Sequence, residues 1–362
     1  MLWHVVDHAE ASRNTSAHRC PLPSGRLATT LGGICSESGP WLQRLLPFFA
    51  ALTPARVVYV NVGANKGFNV AYLLDLLSTS DRAMNVTTQA WFGALKRYAD
   101  AQHIPHAVLG GHHGCGVCDA CKSSPTADGG SRLRVEAVDV HAFELLDANA
   151  RWLENAFRVF GLAGRVIHRP VGAESGPLQV ETRGQLGFEG AGAITLMSDA
   201  RGGHLQWHNS TSLDDYLAEA GVRRVHLLSV DAEKYDLPVL WGLRRSLTAR
   251  AVDVVEFEYS RDVHMVPRMN GHMNGTARVN GWTLKATLAQ MHELGYACWW
   301  QSGSGRRGCL YPASGRCWRE QFECYLKREV RKSELCVDAG NLLCAHGHAR
   351  ALMHEFATEC AR

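Results

Sequence analysis

The sequence lacks the features expected of a membrane-spanning or nucleic-acid-binding protein. Its longest apolar stretches, at 45–52 and 57–64, are far shorter than the roughly 20 residues that cross a bilayer. Lysine is scarce, with 7 residues against 31 arginines, and the arginines are scattered rather than grouped into a basic stripe. With a net charge of only +3, the composition predicts neither a membrane span nor a nucleic-acid partner.

The first 30 residues contain no apolar core and predict no secretory signal peptide, so either the protein is not secreted or its true start is missing from this chain. Other features favour passage through the secretory pathway, namely twelve cysteines and four N-x-S/T sequons, which begin at Asn14, Asn85, Asn209 and Asn274. The 46% of hydrophobic and 20% of charged residues are typical of a soluble globular protein. The sequence therefore leaves both a secreted and a non-secreted protein open.

Hydrophobic patterning divides the chain into three parts. Residues 1–40 are polar and aperiodic and predict an extended arm. Residues 41–313 alternate short apolar runs with helical repeats, which predicts a single main α/β domain with a doubly wound, mostly parallel sheet. The segment 79–132 is far longer than an ordinary connection and predicts an insertion, whereas 314–362 carries five cysteines and predicts a Cys-rich extension. Strands are predicted at 57–60, 133–138, 165–171, 225–230 and 252–257, with a closing hairpin at 296–301 and 309–312.

A glycine loop joins the first predicted strand to a helix, with the residues Asn61-Val-Gly63-Ala-Asn65-Lys-Gly67. Glycines at such a turn let a ligand approach the backbone, although a tight structural turn would also use them. The dinucleotide fingerprint G-x-G-x-x-G lacks its middle glycine here, which favours an adenosine ligand without a pyrophosphate, such as S-adenosylmethionine. The cofactor residues predicted in the loop are Asn61, Gly63, Asn65 and Gly67.

An acidic residue, Asp139, closes the second predicted strand. A carboxylate at the end of that strand can accept hydrogen bonds from both ribose hydroxyls of a bound nucleoside. Asp139 is therefore a predicted cofactor residue, and the alternative is a helix N-cap.

Further acids follow the fourth and fifth predicted strands. Asp231 and Glu233 lie just after the fourth strand, and Glu256 and Glu258 alternate onto one face of the fifth. Asp236 stands two residues before a proline, as a helix N-cap would. Two acids on one loop repel each other unless they are solvated or matched to a ligand, which suits substrate orientation or proton abstraction.

These motifs resemble, in order and spacing, the FkbM family of S-adenosylmethionine-dependent methyltransferases. The resemblance rests on VNVGANKGFNVAYLL, TSLDDYLAEAGVRRVHLLSVDAEKYDLPVLWGL and VDVVEFEYS, and it extends over about 57–300. It implies a class I methyltransferase fold of seven strands with the last antiparallel, and methyl transfer to a hydroxyl of a sugar, glycan or other small metabolite. The sequence departs from the family at Asn61, where an acid is common, and at Lys234, where glycine is common.

Three catalytic residues are predicted on this basis. Asp231 is the first choice for a general base or for acceptor orientation, and Glu233 and Glu258 would hold the acceptor or a neighbouring loop. The alternative function is a methyltransferase-fold binding protein that has lost catalysis. A nicotinamide-dependent dehydrogenase is disfavoured by the missing glycine.

The predicted insertion contains a cluster of possible metal ligands. Cys115, Cys118 and Cys121 recur at x2 spacing, and His112 could supply a fourth ligand to tetrahedral zinc. Iron-sulfur proteins use similar spacing, but their further Cys-Pro signal is absent. Disulfides with the cysteines of the tail, or free thiols, are the alternatives.

Overall fold

A computed structural model describes residues 20, 38–54, 56–79, 86–109, 132–182, 204–232, 235–260, 283–302, 309–319, 322 and 339–360. The helices are α1 (Ser38–Arg44), α2 (Leu46–Ala50), α3 (Phe68–Leu76), α4 (Thr88–Ala101), α5 (Asp147–Phe160), α6 (Leu213–Glu219), α7 (Asp236–Trp241), α8 (Arg244–Thr248), α9 (Leu284–Glu293) and α10 (Gly347–Cys360). The strands are β1 (Arg56–Val62), β2 (Leu77–Thr79), β3 (Leu133–Val135), β4 (Ala137–Phe143), β5 (Ala163–Ile167), β6 (Gly176–Thr182), β7 (His204–Ser210), β8 (Leu227–Val230), β9 (Val254–Ser260), β10 (Ala297–Gln301), β11 (Leu310–Pro312) and β12 (Ala339–Ala345).

The main sheet has eight strands in the order β11-β10-β12-β9-β8-β1-β4-β5. The last five strands in this order, β9, β8, β1, β4 and β5, are parallel, so their carboxyl ends share one edge. Strand β12 runs antiparallel to both of its neighbours, β9 and β10. The predicted α/β, Rossmann-like and mostly parallel sheet is confirmed, including the antiparallel strand. The sheet has eight strands rather than the seven expected, because β11 is added beside β10.

Both faces of the sheet are covered, which explains the nearly continuous apolar runs of its central strands. On one face, Tyr59 and Leu227 belong to a core shared with α1 to α5 and α10. On the other, Val60 and Leu228 belong to a core shared with α6 to α9. Within the described ranges, no helix is long and apolar enough to cross a membrane.

The second predicted strand is wrong in its bounds. Residues 133–135 form β3, which pairs with β2 in a small separate sheet, and the strand of the main sheet continues to Phe143. Polar Asp139 and His141 suggested an early end, but Asp139 forms an ion pair with Arg56 at 2.8 Å, and buried His141 is hydrogen-bonded to the Tyr216 hydroxyl. Asp139 is therefore near the beginning of β4 and not at its end.

Part of the predicted insertion is an integral helix. Helix α4 begins after Thr87, whose side chain caps the helix by accepting from the N–H of Ala90. Its Trp91 is completely buried and belongs to the core of the main sheet. Helix α4 therefore forms part of the domain.

The predicted division at residue 313 cuts through the sheet. Strand β12 comes from the segment predicted as a Cys-rich extension, and it lies between β9 and β10. The predicted hairpin is present as the antiparallel pair β10 and β11, at one edge of the sheet. The run Asn341-Leu-Leu-Cys-Ala345 was too short to reveal a buried strand by its periodicity.

Every cysteine among the described residues is paired. The disulfides are Cys20–Cys317, Cys298–Cys344 and Cys309–Cys360. Cys298 and Cys344 face each other across β10 and β12, so this bond lies inside the core of the sheet. Disulfides of this kind persist in oxidising compartments, which is compatible with a secretory route.

Candidate functional site

The candidate site lies at the carboxyl edge of the parallel strands, where open α/β sheets bind their ligands. The glycine loop follows β1 there, and the N–H groups of Gly63 and Ala64 both donate to the carbonyl of Phe143 at the end of β4. The N–H of Asp231, just after β8, donates to the carbonyl of Val62. The structure thus brings three strand ends together around the loop.

The glycines of the loop are required by contacts within the protein. Gly63 and Gly67 have φ values of +76° and +78°, which residues with a side chain rarely adopt. A Cβ on Gly63 would lie 1.8 Å from the carbonyl oxygen of Asp231, and one on Gly67 would lie 2.6 Å from the Trp91 ring. The expected collision of a Cβ with a ligand is therefore replaced by collisions with Asp231 and Trp91.

Two buried tryptophans are hydrogen-bonded to the backbone of the glycine loop. The indole N–H groups of Trp91 and Trp152 both donate to the carbonyl oxygen of Lys66, at 2.7 and 2.9 Å. Their rings meet edge to face, with centroids 5.8 Å apart. Because α4 and α5 each supply one donor, both helices fix the backbone conformation of the loop.

The acid at the end of β4 is Glu144. Its carboxylate accepts the N–H of Asn65 at 2.6 Å and the N–H of Leu146 at 2.7 Å. The side chain is only 6% exposed, and this burial raises the pKa of Glu144 to about 6 despite the backbone donors that favour the ionised form. The Asn65 side chain, in turn, accepts from the buried Asn149 amide at 3.2 Å.

Asp139, the acid predicted from the sequence, lies near the opposite end of the same strand. It pairs in register with Val58 near the start of β1 and forms an ion pair with Arg56. The His141 ring, whose Nε2 atom lies 3.6 Å from the carboxylate, and the Arg56 guanidinium lower the pKa of Asp139. A carboxylate in direct contact with the glycine loop is thus Glu144, which the sequence patterns did not single out; the signal was an acid between an apolar run and a helical repeat.

Asn61 is buried in β1 with 2% exposure. Its amide donates to the Tyr59 hydroxyl at 2.6 Å, and within the described part of the chain its Oδ1 atom has no hydrogen-bond partner. Burial, first of all, raises the pKa of Tyr59, so the phenol stays protonated. Asn61 thus presents an unsatisfied acceptor one residue before the loop begins to turn.

Polar side chains continue across the sheet on the same face as Asn61. The Ser229 hydroxyl and the Gln301 amide both donate to the Glu256 carboxylate, at 3.2 and 2.8 Å. The Trp41 indole N–H then donates to Gln301 at 3.1 Å. The hydrogen bonds connect three strands and α1 in one buried polar row.

Two of the three predicted catalytic acids lie among the described residues. The Asp231 side chain is exposed, whereas Glu258 is half-buried near the end of β9. Glu233 lies outside the described residues. Asp236 begins α7 rather than capping it, and its carboxyl is buried. Burial and then the nearby Glu258 raise the pKa of Asp236 well above its usual range, so Asp236 is a further candidate that the N-cap interpretation set aside.

The predicted zinc ligands Cys115, Cys118, Cys121 and His112 also lie outside the described residues. Among the residues that are described, no group of three or more His, Cys, Asp or Glu side chains is placed to bind a metal ion. Zinc is therefore not supported.

One family model matches part of the chain. Residues 126–296 match the model of the methyltransferase FkbM domain. This segment is similar to the FkbM methyltransferase domain. The match contains Glu144, Asp231 and Glu258, and the glycine loop precedes it. No curated protein matches the chain.

Proposed function

We propose that this protein transfers a methyl group from S-adenosylmethionine to a hydroxyl of a neutral sugar, glycan or other small metabolite. The observation that carries the proposal is the placement of Glu144 against the glycine loop of a domain with FkbM similarity. A buried carboxylate at this strand end suits the ribose hydroxyls of an adenosine ligand.

The residues of the loop fit such a cofactor. Glu144 would accept from the ribose hydroxyls, since a carboxylate has more acceptor positions than its backbone donors use. The unsatisfied Oδ1 of Asn61 could accept from the ammonium group of the methionine part. When bound, S-adenosylmethionine supplies an activated methyl group on a sulfonium ion.

The acceptor side of the edge is rich in carboxyl groups. Asp231 directly follows β8, and Glu256 and Glu258 lie on the neighbouring strand β9. Negative charges repel phosphorylated or carboxylated acceptors, so this composition favours a neutral polyhydroxyl acceptor. Asp231, the exposed acid next to Gly63, is our choice for the group that orients the hydroxyl and accepts its proton.

Calorimetry with S-adenosylmethionine and with NAD tests the cofactor, and transfer of a labelled methyl group to a panel of neutral and anionic sugars tests the reaction. We expect micromolar-range binding of S-adenosylmethionine, no binding of NAD, and transfer to neutral acceptors. Binding without transfer to any hydroxyl would instead support the alternative of a methyltransferase-fold binding protein. Absence of binding would contradict the cofactor assignment.

A further inference from the structure

The hairpin formed by β6 and β7 has one face in the core and one in solvent. Leu178 and Val180 point inward and are buried, and on β7 Ser210 is buried as well. The opposite face carries exposed Pro177, which pairs in register with Asn209. Alternation along β7 places Trp207 and Asn209 together on this outer face.

Two features of the outer face stand out chemically. Trp207 is 70% exposed, whereas five other tryptophans of the described part of the chain are almost completely buried. Asn209 begins the sequon Asn209-Ser210-Thr211, and the other three sequons of the chain begin outside the described residues. The sequon supplies an amide that can accept a glycan. The exposed indole two residues away supplies an apolar surface against which a sugar can pack.

The disulfides supply the compartment in which such a sequon would be used. Cys298–Cys344 is buried within the sheet, and the remaining described cysteines are also paired. Structural disulfides form in the oxidising lumen that also contains the machinery of asparagine glycosylation. Two independent observations, the covalent bonds and the exposed sequon, therefore favour the same route.

We propose that Asn209 carries an N-linked glycan whose first sugar lies against the Trp207 indole. The glycan is transferred from a lipid-linked oligosaccharide. A bond forms between Asn209 Nδ2 and C1 of the sugar, the bond from C1 to the lipid pyrophosphate breaks, and the amide loses a proton. No oxidant or reductant is needed.

A glycan at this position would leave the candidate site open. His208 alternates to the other face of β7, where burial and then the charge of His168 lower its pKa. The His168 ring is hydrogen-bonded to the Leu145 carbonyl, next to Glu144. The face of the hairpin towards the site is thus the face opposite Asn209.

The glycan can be sought in one peptide. Trypsin releases 202–223, which contains Trp207, Asn209 and no other asparagine. The full chain behind a signal peptide is translated with endoplasmic-reticulum microsomes, and only the protease-protected chains are digested. We expect a peptide N-glycanase, which hydrolyses the side-chain amide of glycosylated asparagine only, to convert Asn209 into labelled aspartate in ¹⁸O water. Unmodified Asn209 in protected chains overturns the proposal.

Two variants and one footprint complete the test. Asn209→Gln should lose the label, and Thr211→Ser, which keeps the hydroxyl of the sequon, should retain it. In the secreted protein with Cys298–Cys344 formed, N-bromosuccinimide should oxidise Trp207 several-fold more slowly before removal of the glycan than after it. Equal oxidation rates would overturn the contact between sugar and indole.

Discussion

The backbone N–H of Asn65 donates to the Glu144 carboxylate at 2.6 Å, which joins the turn of the glycine loop to the end of the neighbouring strand. One side chain thereby fixes the loop and faces the edge at which a ligand would bind. Asp139, on the same strand, is the natural control because it forms an ion pair at the opposite end.

We expect Glu144→Gln to weaken binding of S-adenosylmethionine at least about tenfold, since a charged acceptor contributes about 1.5–3 kcal/mol. The amide oxygen introduced by this substitution could still accept from the N–H of Asn65, so the loop should persist. Asp139→Asn should leave the affinity unchanged. Calorimetry on the two variants decides between the acids, and an unchanged affinity in Glu144→Gln would remove Glu144 from the cofactor site.

The pKa of Glu144, raised to about 6, predicts opposite pH dependences for ligand binding and for folding. Affinity for S-adenosylmethionine should rise as the pH increases through about 6, because the ionised carboxylate is the better acceptor, and binding near that pH should release protons. The raised pKa contributes stability below the unfolded value of 4.5, which is lost as the pH rises through about 6.

Calorimetry in buffers of different ionisation enthalpy measures the proton release, and urea titrations across the same range measure the stability. The Glu144→Gln variant should lose both pH dependences. If the variant titrates like the parent protein, another group is responsible.

Asp231→Asn should reduce methyl transfer by about 10²-fold to 10⁴-fold, the range expected for loss of general base catalysis. Affinity for S-adenosylmethionine should stay within about twofold, because the backbone of Asp231, and not its charge, contacts Gly63. Glu219→Gln, an exposed acid on α6, is the control. Unchanged transfer in Asp231→Asn would exclude it from the mechanism, and lost cofactor binding would assign it to the cofactor site.

Trp91→Phe and Trp152→Phe each remove one of the two donors to the Lys66 carbonyl. Each variant should lose about 1–3 kcal/mol of unfolding free energy, and the double variant should lose more than the sum, because only then is a buried carbonyl unpaired. Trp207→Phe should change stability by less than about 0.5 kcal/mol. Urea unfolding measures all four; additive losses would argue against a shared role for the two indoles.

Replacing Cys298 and Cys344 by alanine should lower the free energy of unfolding by about 2–5 kcal/mol. The comparison is made by denaturant titration without a reductant. A reductant should destabilise the parent protein at least as much, since two more disulfides are described. Equal stability of parent and variant would indicate that the bond does not form in solution.

Local patterns predicted most of the sheet but not its polar details. The β-branched run around Val58 and the helical repeat beginning at Phe68 gave β1 and α3 directly, because buried strands and helices differ in period. The register of β4 was not predictable, since the partners of Asp139 and His141, which are Arg56 and Tyr216, are distant in the sequence. Contacts such as that of Trp91 with Gly67 depend on packing, which single-sequence periodicity does not encode.

Strand β12, which lies between β9 and β10, has a consequence for the order in which the protein can fold during its synthesis. Until residue 345 has left the ribosome, β9 and β10 have no strand between them and their facing edges remain unpaired. Such edges are prone to aggregation, and the pairing of distant strands is slow. The nascent chain should therefore depend on chaperones until almost all of the residues described here have been made.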